Sequence, residues 1–351
     1  SSIQRQLNLF FKKQSMKRKS LNAKKIIHKN LKTKKISNIY KIFENNLNLI
    51  VKNGQVAGAI SGGPDSLALA YLLKCYSLKN NKKVFYYHVD HKLRNNSSSE
   101  ARKLKALLLK YSINCKILSW NGKKPKSNIQ SEARRKRYQL IADNCIKNKI
   151  KYILTAHHYD DLKENFFIRM TRGSGLEGLV SFNSIVNQYS KKLQILRPLI
   201  NIKKKDLEFI SKKVFNFLIK DPSNKNESFK RVRVRNLIKK LDDEGLDSDK
   251  ILLTINNLSD SNIAINYFVE QNLTKNTVTS KGEKKYLINK SFFLYPKEIV
   301  FRSISKILGK VSNKYYPPRG KSLIHLLNRL NSSNFKKTTL SSCIIDKINN
   351  M

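Results

Sequence analysis

A chain of 351 residues, 40% of them hydrophobic, can bury real cores and is too long for one ordinary α/β domain, so two domains are expected. Its 71 Lys and Arg against 24 Asp and Glu leave a formal charge of +47, which points to a polyanionic partner, with AT-biased codon usage contributing to the lysine excess. The four cysteines are far apart with no C-x-x-C pair, which argues against a disulfide framework, a zinc knuckle or a thioredoxin-like site, and no apolar stretch approaches the roughly 18 residues of a membrane span.

Residues 1–36 are basic with little periodicity. They read as a mobile arm, which touches RNA or serves as a transit peptide. Helical spacing begins near Ile39 and runs to Ile50. Val56 to Ile60 is a short buried strand and Leu67 to Leu73 a helix. The loop between them is Ser61-Gly62-Gly63-Pro64-Asp65-Ser66. A strand, a tight glycine turn and a helix aim backbone N–H groups and a helix dipole at one spot, which suits a phosphate. Two glycines admit a bulky anion, and Ser61 and Ser66 add hydroxyl donors. Asp65 repels a phosphate unless it holds a metal ion or a cationic substrate. The plain alternative is a strand-to-helix turn with Pro64 at the first helical position.

Lys83 to His91 is a second strand. His88, Asp90, His91 and Arg94 lie at or beyond its carboxyl end, where open α/β sheets bind ligands. Ser97 to Glu100 has the form of a capping box opening a helix to about Tyr111, and Cys115 to Trp120 is the third strand. Arg134, Arg135 and Arg137 then fall within one and a half turns of a helix, either as a solvated basic face or as phosphate contacts. A fourth strand, Tyr152 to Ala156, runs into His157-His158-Tyr159-Asp160-Asp161-Leu162-Lys163-Glu164. Asp161 and Glu164 share a helix face, suited to a metal or a primary ammonium, while Asp160 is placed to cap the helix. A glycine-rich turn covers Arg172 to Leu179, and the fifth strand is Leu193 to Ile200. Lys203 to Phe215 is a helix, and Asp221-Pro222-Ser223-Asn224 a turn. From Phe229 three arginines alternate (Arg231, Arg233, Arg235) before the pattern becomes helical. This alternation implies parallel βαβ units, hence an α/β fold. It stops near residue 245, where a domain boundary is expected. Beyond it an amphipathic helix runs from Lys250 to about Gln271, its more regular half ending at Asp260, and short strands mix with further helices.

The loop is not of the Walker type, because no lysine follows the glycines. It resembles the SGGxDS loop of the N-type ATP pyrophosphatases. Further stretches keep the order and spacing of the tRNA(Ile)-lysidine synthase family over roughly residues 55–245. They are His88–Arg94, Gln130–Tyr138, Ala156–Asn165, Arg172–Leu179, Leu196–Leu199 and Asp221–Arg235, and the tail Tyr315–Leu330 is similar to a segment of shorter bacterial members. Asn165 departs from the pattern, which usually has Thr after the Glu.

The resemblance implies a parallel sheet of the PP-loop ATP pyrophosphatase (adenine nucleotide alpha hydrolase-like) type over 37–245. A smaller, mainly helical α+β domain for tRNA recognition follows over 250–351. It implies that ATP adenylates the C2 oxygen of the wobble cytidine of a minor isoleucine tRNA, and that free lysine displaces AMP there. ATP contacts then fall to Ser61–Ser66, His88, Arg94 and His157, and Mg²⁺ to Asp65. Lysine and the reacting centre fall to Asp65, Asp161, Glu164 and Arg231, with Arg235 and Arg134 as further substrate contacts. A PP-loop tRNA thiolase and a non-catalytic RNA-binding protein stand as alternatives. The expected setting is cytoplasmic, with plastid or mitochondrion as the alternative, and a homodimer is left open.

Overall fold

The computed structural model describes residues 29–52, 54–93, 96–122, 129–183, 185–190, 192–216, 230–279, 285–312, 318–330, 332 and 335–348. The basic arm up to residue 28, Arg94, the turn from Asp221 to Asn224, Phe229 and Tyr315 to Pro317 lie outside them. The chain divides into two compact units, Ser1–Leu252 and Leu253–Met351.

The first unit is built on a six-stranded sheet of order β3-β2-β1-β4-β6-β5. Its strands are β1 (Val56–Ala59), β2 (Val84–Asp90), β3 (Cys115–Ser119), β4 (Tyr152–Leu154), β5 (Val186–Ser190) and β6 (Leu193–Leu196). β1 pairs in parallel with both β2 and β4, and β3 and β6 extend the parallel run on either side. β5, which the sequence reading did not contain, pairs antiparallel with β6 at the edge. Its Val-Asn-Gln-Tyr-Ser lacks the apolar run that marked the other strands, because an edge strand needs no second buried face. β6 is shorter than the strand expected to reach Ile200, since turns follow from Pro198.

Helices cover both faces, as parallel strands require. Neighbouring strand residues point to opposite sides: Val56 and Tyr86 join one core, Ala57 and Tyr87 the other. On the first face lie α1 (Lys34–Asn48), α2 (Pro64–Lys79), α3 (Ser97–Leu109) and, later in the chain, a helix over Lys204–Phe215. On the second lies α4 (Ile129–Lys147), through Ile141, Ala142 and Cys145. α1 begins a little before the expected end of the arm, and its Ile36 is fully buried. α2 is apolar all round, with Leu67 to Tyr71 essentially inaccessible, so it is the central helix of its layer. It lies close on β1 because Gly58 has no side chain; a Cβ there would sit 2.9 Å from Leu73 Cδ2.

The remaining elements of the unit are α5 (Tyr159–Met170), α6 (Leu176–Val180), α7 (Lys204–Phe215) and α8 (Lys230–Asp243). The stretch with alternating arginines is helical throughout α8, since Val232, Val234 and Ile238 bury one side of it. α9 (Ser248–Asn276) is one continuous helix rather than one that weakens at Asp260.

The second unit joins helices to two small antiparallel hairpins, β7 (Thr277–Thr279) with β8 (Tyr286–Ile288) and β9 (Lys337–Leu340) with β10 (Cys343–Asp346). Its core gathers Phe292, residues of α10 (Lys297–Ser312), residues of α11 (Gly320–Leu330) and Cys343. It is mainly helical, as the sequence implied. No helix among the described residues is long and apolar enough to cross a membrane.

Candidate active site

Strand order reverses at β1, with β2 and β3 on one side and β4 and β6 on the other. Such a reversal opens a crevice at the carboxyl ends of the two central strands. The loop after β1 and the His-His-Tyr-Asp-Asp run after β4 both open onto it.

Within the loop, Gly62 has φ +98°, a conformation that favours glycine. Its N–H donates to Ser66 Oγ at 2.9 Å, and that hydroxyl donates to Gly63 O at 2.9 Å. Ser66 is buried, so its hydroxyl braces the loop from within, whereas Ser61 is exposed. A Cβ on Gly63 would find no protein atom closer than Ser61 Oγ at 4.0 Å, so that side of the loop is open. Helical geometry leaves the Asp65 and Ser66 amides without carbonyl partners one turn back. His88 supports the loop from below: its Nδ1–H donates to Ile60 O at 2.8 Å. Burial depresses its pKa, so the neutral ring keeps its proton on Nδ1.

The residue on which the crevice converges is His158, which the sequence reading passed over in favour of His157. Its Nε2 lies 3.5 Å from Asp65 Oδ2 and 3.5 Å from Asp161 Oδ2, and its Nδ1 lies 3.8 Å from Asp160 Oδ2. Burial alone would lower its pKa; the hydrogen bond to Asp65 and the charges of Asp161, Asp65 and Asp160 outweigh it and hold the ring above its ordinary value. Asp161 Oδ2 also accepts the His158 amide at 3.2 Å. The legible signal was a histidine pair at a strand end directly before two aspartates.

Asp160 does not cap its own helix. Its Oδ2 accepts the Lys204 amide at 2.8 Å and so caps α7, while Oδ1 pairs with Lys163 at 3.5 Å. The expected capping box at Ser97 is likewise absent: Ser98 donates to Asp90 Oδ2 at 2.6 Å, and the Lys92 amide to Asp90 Oδ1 at 3.0 Å. Burial raises the Asp90 carboxyl, but the Ser98, Ser97 and Lys92 donors prevail and hold it below the usual range. Asp90 therefore closes the turn after β2.

Glu164 is buried and faces α8, which packs on α5. Arg231 and Arg235, one turn apart, both reach it. Arg235 is the close partner, through Nε and at 3.3 Å through a second nitrogen, whereas Arg231 Nε stays 3.9 Å away and is more exposed. The α4 arginines diverge. Arg135 turns to Glu132 at 2.7 Å, Arg137 donates to His91 at 3.2 Å, and Arg134 reaches His157 at 3.3 Å. The loop after β1, α5 and α8 thus bring Asp65, Asp161, Glu164, Arg231 and Arg235 to one edge of the sheet; Asp65 Oδ1 is buried without a hydrogen-bond partner.

Residues 31–241 match the PP-loop domain family. A tRNA(Ile)-lysidine synthase of Wolbachia pipientis wMel is 34% identical over 303 residues, covering 84% of this chain and 69% of that protein. The chain belongs to the tRNA(Ile)-lysidine synthase family of PP-loop enzymes. A member from Rickettsia felis is 32% identical over 324 residues, covering 89% of this chain and 72% of that protein. The fold is also that of a U34-tRNA thiolase from Methanococcus maripaludis, with a TM-score of 0.55 at 19% identity over 65% of this chain and 80% of that one. Family membership places the chain among ATP-binding ligases of tRNA modification.

Proposed function

We propose that this chain joins lysine to C2 of the wobble cytidine of a minor isoleucine tRNA. ATP first adenylates the C2 oxygen with release of pyrophosphate, and the lysine ε-amine then displaces AMP. The observation that carries this reading is the meeting of Asp65 and Asp161 on His158 at the strand-order reversal, with Glu164 across from the arginines of α8. Acidic groups beside a phosphate loop suit a reaction that brings a cationic amine to an adenylate.

In this reading the open side of Gly63 and the amides of the first turn of α2 receive the phosphates, stabilising charge that develops as pyrophosphate departs. The unpartnered Asp65 Oδ1 fits a Mg²⁺ ligand. Among the described residues no group of three metal-ligating side chains occurs, which suits an ion that draws its other ligands from phosphates and water. Bound there, Mg²⁺ supplies neutralisation of the triphosphate. Asp161 attracts the lysine ammonium, and either Asp161 or Glu164 takes the proton that frees the amine as nucleophile. Arg231, held only loosely by Glu164, is available for the lysine carboxylate, while Arg235 fixes Glu164. The cytidine reaches the crevice by unstacking from a single-stranded loop. Remote tRNA recognition falls to the unit after Leu253, and the reaction belongs to the cytoplasm.

A sulfur-transferring reading is disfavoured by the cysteines. All four are buried, and burial pushes Cys75, Cys115 and Cys145 up to about 12, far from a reactive thiolate. The test is incubation with labelled lysine, ATP and bulk tRNA. Label entering RNA at a cytidine, with AMP and pyrophosphate formed only when tRNA is present, is the expected result. ATP turnover independent of tRNA would sink the proposal.

A further inference from the structure

Beside the carboxylates, the same edge of the sheet carries a group of opposite sign. Arg134 rises from α4 with its guanidinium over the Tyr138 ring, 5.4 Å from the centroid, and its terminal nitrogen 3.3 Å from His157 Nε2. Arg197, just beyond β6 and 6% exposed, lays its guanidinium on the Phe182 ring at 4.3 Å. Phe182 in turn meets the His157 ring edge-on at 5.2 Å. Arg134, His157, Phe182 and Arg197 therefore form one continuous wall at the ends of β4 and β6.

The wall is fixed by a hydrogen-bond relay. Thr155 Oγ1 donates to Leu196 O at 3.2 Å, so it accepts from His157 Nδ1 at 2.8 Å. That leaves His157 Nε2 with a lone pair, which receives the Arg134 N–H. Burial, together with the charges of Arg134, Arg197 and Arg231, keeps the His157 ring neutral and the relay intact. Arg134 thus touches an imidazole lone pair and a ring face, neither of which carries negative charge. Burial depresses the Arg197 guanidinium, and the charge on Arg134 adds to that effect. Like charges converging on a desolvated edge repel each other until an anion settles among them.

We propose that Arg134 and Arg197, braced by His157 and Phe182, form an anion subsite that takes one phosphate ester next to the carboxylate cluster. The planar forks of two arginines match the oxygens of a phosphate better than lysines do. The source is either a phosphodiester of the RNA flanking the reacting nucleoside or a phosphoryl group of the nucleotide, and for these sources the inference rests on the function proposed above.

The experiment measures equilibrium binding to the full chain of two probes separately: a fluorescein-labelled RNA hairpin with C-A-U in its loop, and a fluorescent ATP analogue. The variants are Arg134→Ala, exposed and therefore safe for folding, Arg197→Lys, and the control Lys149→Ala at the opposite end of the sheet, with thermal melts of each. Losing a charged hydrogen bond to phosphate weakens binding about tenfold. Loss confined to the RNA identifies a phosphodiester, loss confined to the nucleotide identifies its phosphoryl group, and loss of both identifies a site each uses in turn. Binding of both probes to Arg134→Ala within about twofold of the parent, the scale of a remote surface charge, overturns the subsite. An equal loss in Lys149→Ala does so as well, because it would reduce the effect to bulk charge. Both arms read binding without turnover, so absent lysine transfer would count against the proposed reaction alone.

Discussion

His158 Nε2 stands 3.5 Å from Asp65 Oδ2, which ties the loop after β1 to the start of α5 across the strand-order reversal. The same nitrogen stands 3.5 Å from Asp161, so one imidazole spans the acids of two motifs nearly a hundred residues apart in the chain. Because Asp65 also opens α2 directly behind the glycines, it touches both the phosphate side and the cation side of the crevice.

Asp65→Asn keeps the size of the side chain and removes its charge. We expect lysine incorporation into tRNA to fall at least about a hundredfold, the scale of losing a preorganised electrostatic contact, while the thermal midpoint stays near that of the parent. Radiolabel transfer and a calorimetric melt check the two halves. Substantial residual activity would remove Asp65 from the chemistry.

Arg235, not Arg231, holds Glu164 closely. A double-mutant cycle over Glu164→Gln and Arg235→Gln, read by urea denaturation, should give a coupling of about 1–3 kcal/mol. The corresponding cycle with Arg231→Gln should give well under 1 kcal/mol, as for other loosely held, exposed pairs. Equal couplings would contradict the geometry. Arg231→Gln should instead raise the KM for lysine.

His91 is held at a pKa of about 4 by burial first, then by the charges of Arg137 and His88. An unfolded histidine titrates near 6.5, so between about pH 4 and 6.5 the unfolded chain binds the extra proton. Stability from this group therefore rises with pH across that window and is flat above it. In His91→Gln, whose side-chain oxygen still accepts from Arg137, the stability difference from the parent should shift by no more than about 2 kcal/mol between pH 6.5 and 4, in favour of the variant at the acid end. Denaturation at a series of pH values checks it. His158 acts with the opposite sign: its raised native pKa contributes stability present below about pH 6.5 and lost as pH rises through the native value. Only the difference between parent and variant isolates His91.

Asn165 Nδ2 is buried without a hydrogen-bond partner, next to Glu164. Asn165→Thr, the residue more usual at this place in the family, removes that orphan donor. It should stabilise the chain by about 0.5–1 kcal/mol in urea denaturation, since an unsatisfied buried donor costs more than the small helical penalty of threonine. Destabilisation would mean that the amide has a role the threonine hydroxyl does not fill.

The strand, loop and helix around Ser61–Ser66 were legible in sequence because each is a local pattern: an apolar run, two glycines, a proline at a helix start. The cluster at Asp161 and Glu164 was legible for the same reason, since residues three apart in a helix share a face whatever the rest of the chain does. Edge strand β5 was not, because a strand with one covered face carries little apolar signal.

The sequence by itself determined the chemical inventory: a glycine loop for phosphate, carboxylates at a strand end, arginines on a helix and a charge suited to RNA. Tertiary structure alone decided the pairings. It made His158 the meeting point of Asp65 and Asp161, spent the Ser66 hydroxyl inside its own loop, and turned Asp160 to cap α7. It chose Arg235 over Arg231 for Glu164, and set Arg134 and Arg197 along one wall. These are contacts between segments brought together by the packing of helices on both faces of a twisted sheet. Their partners depend on where β1, β4 and β6 end in space, which no local periodicity encodes.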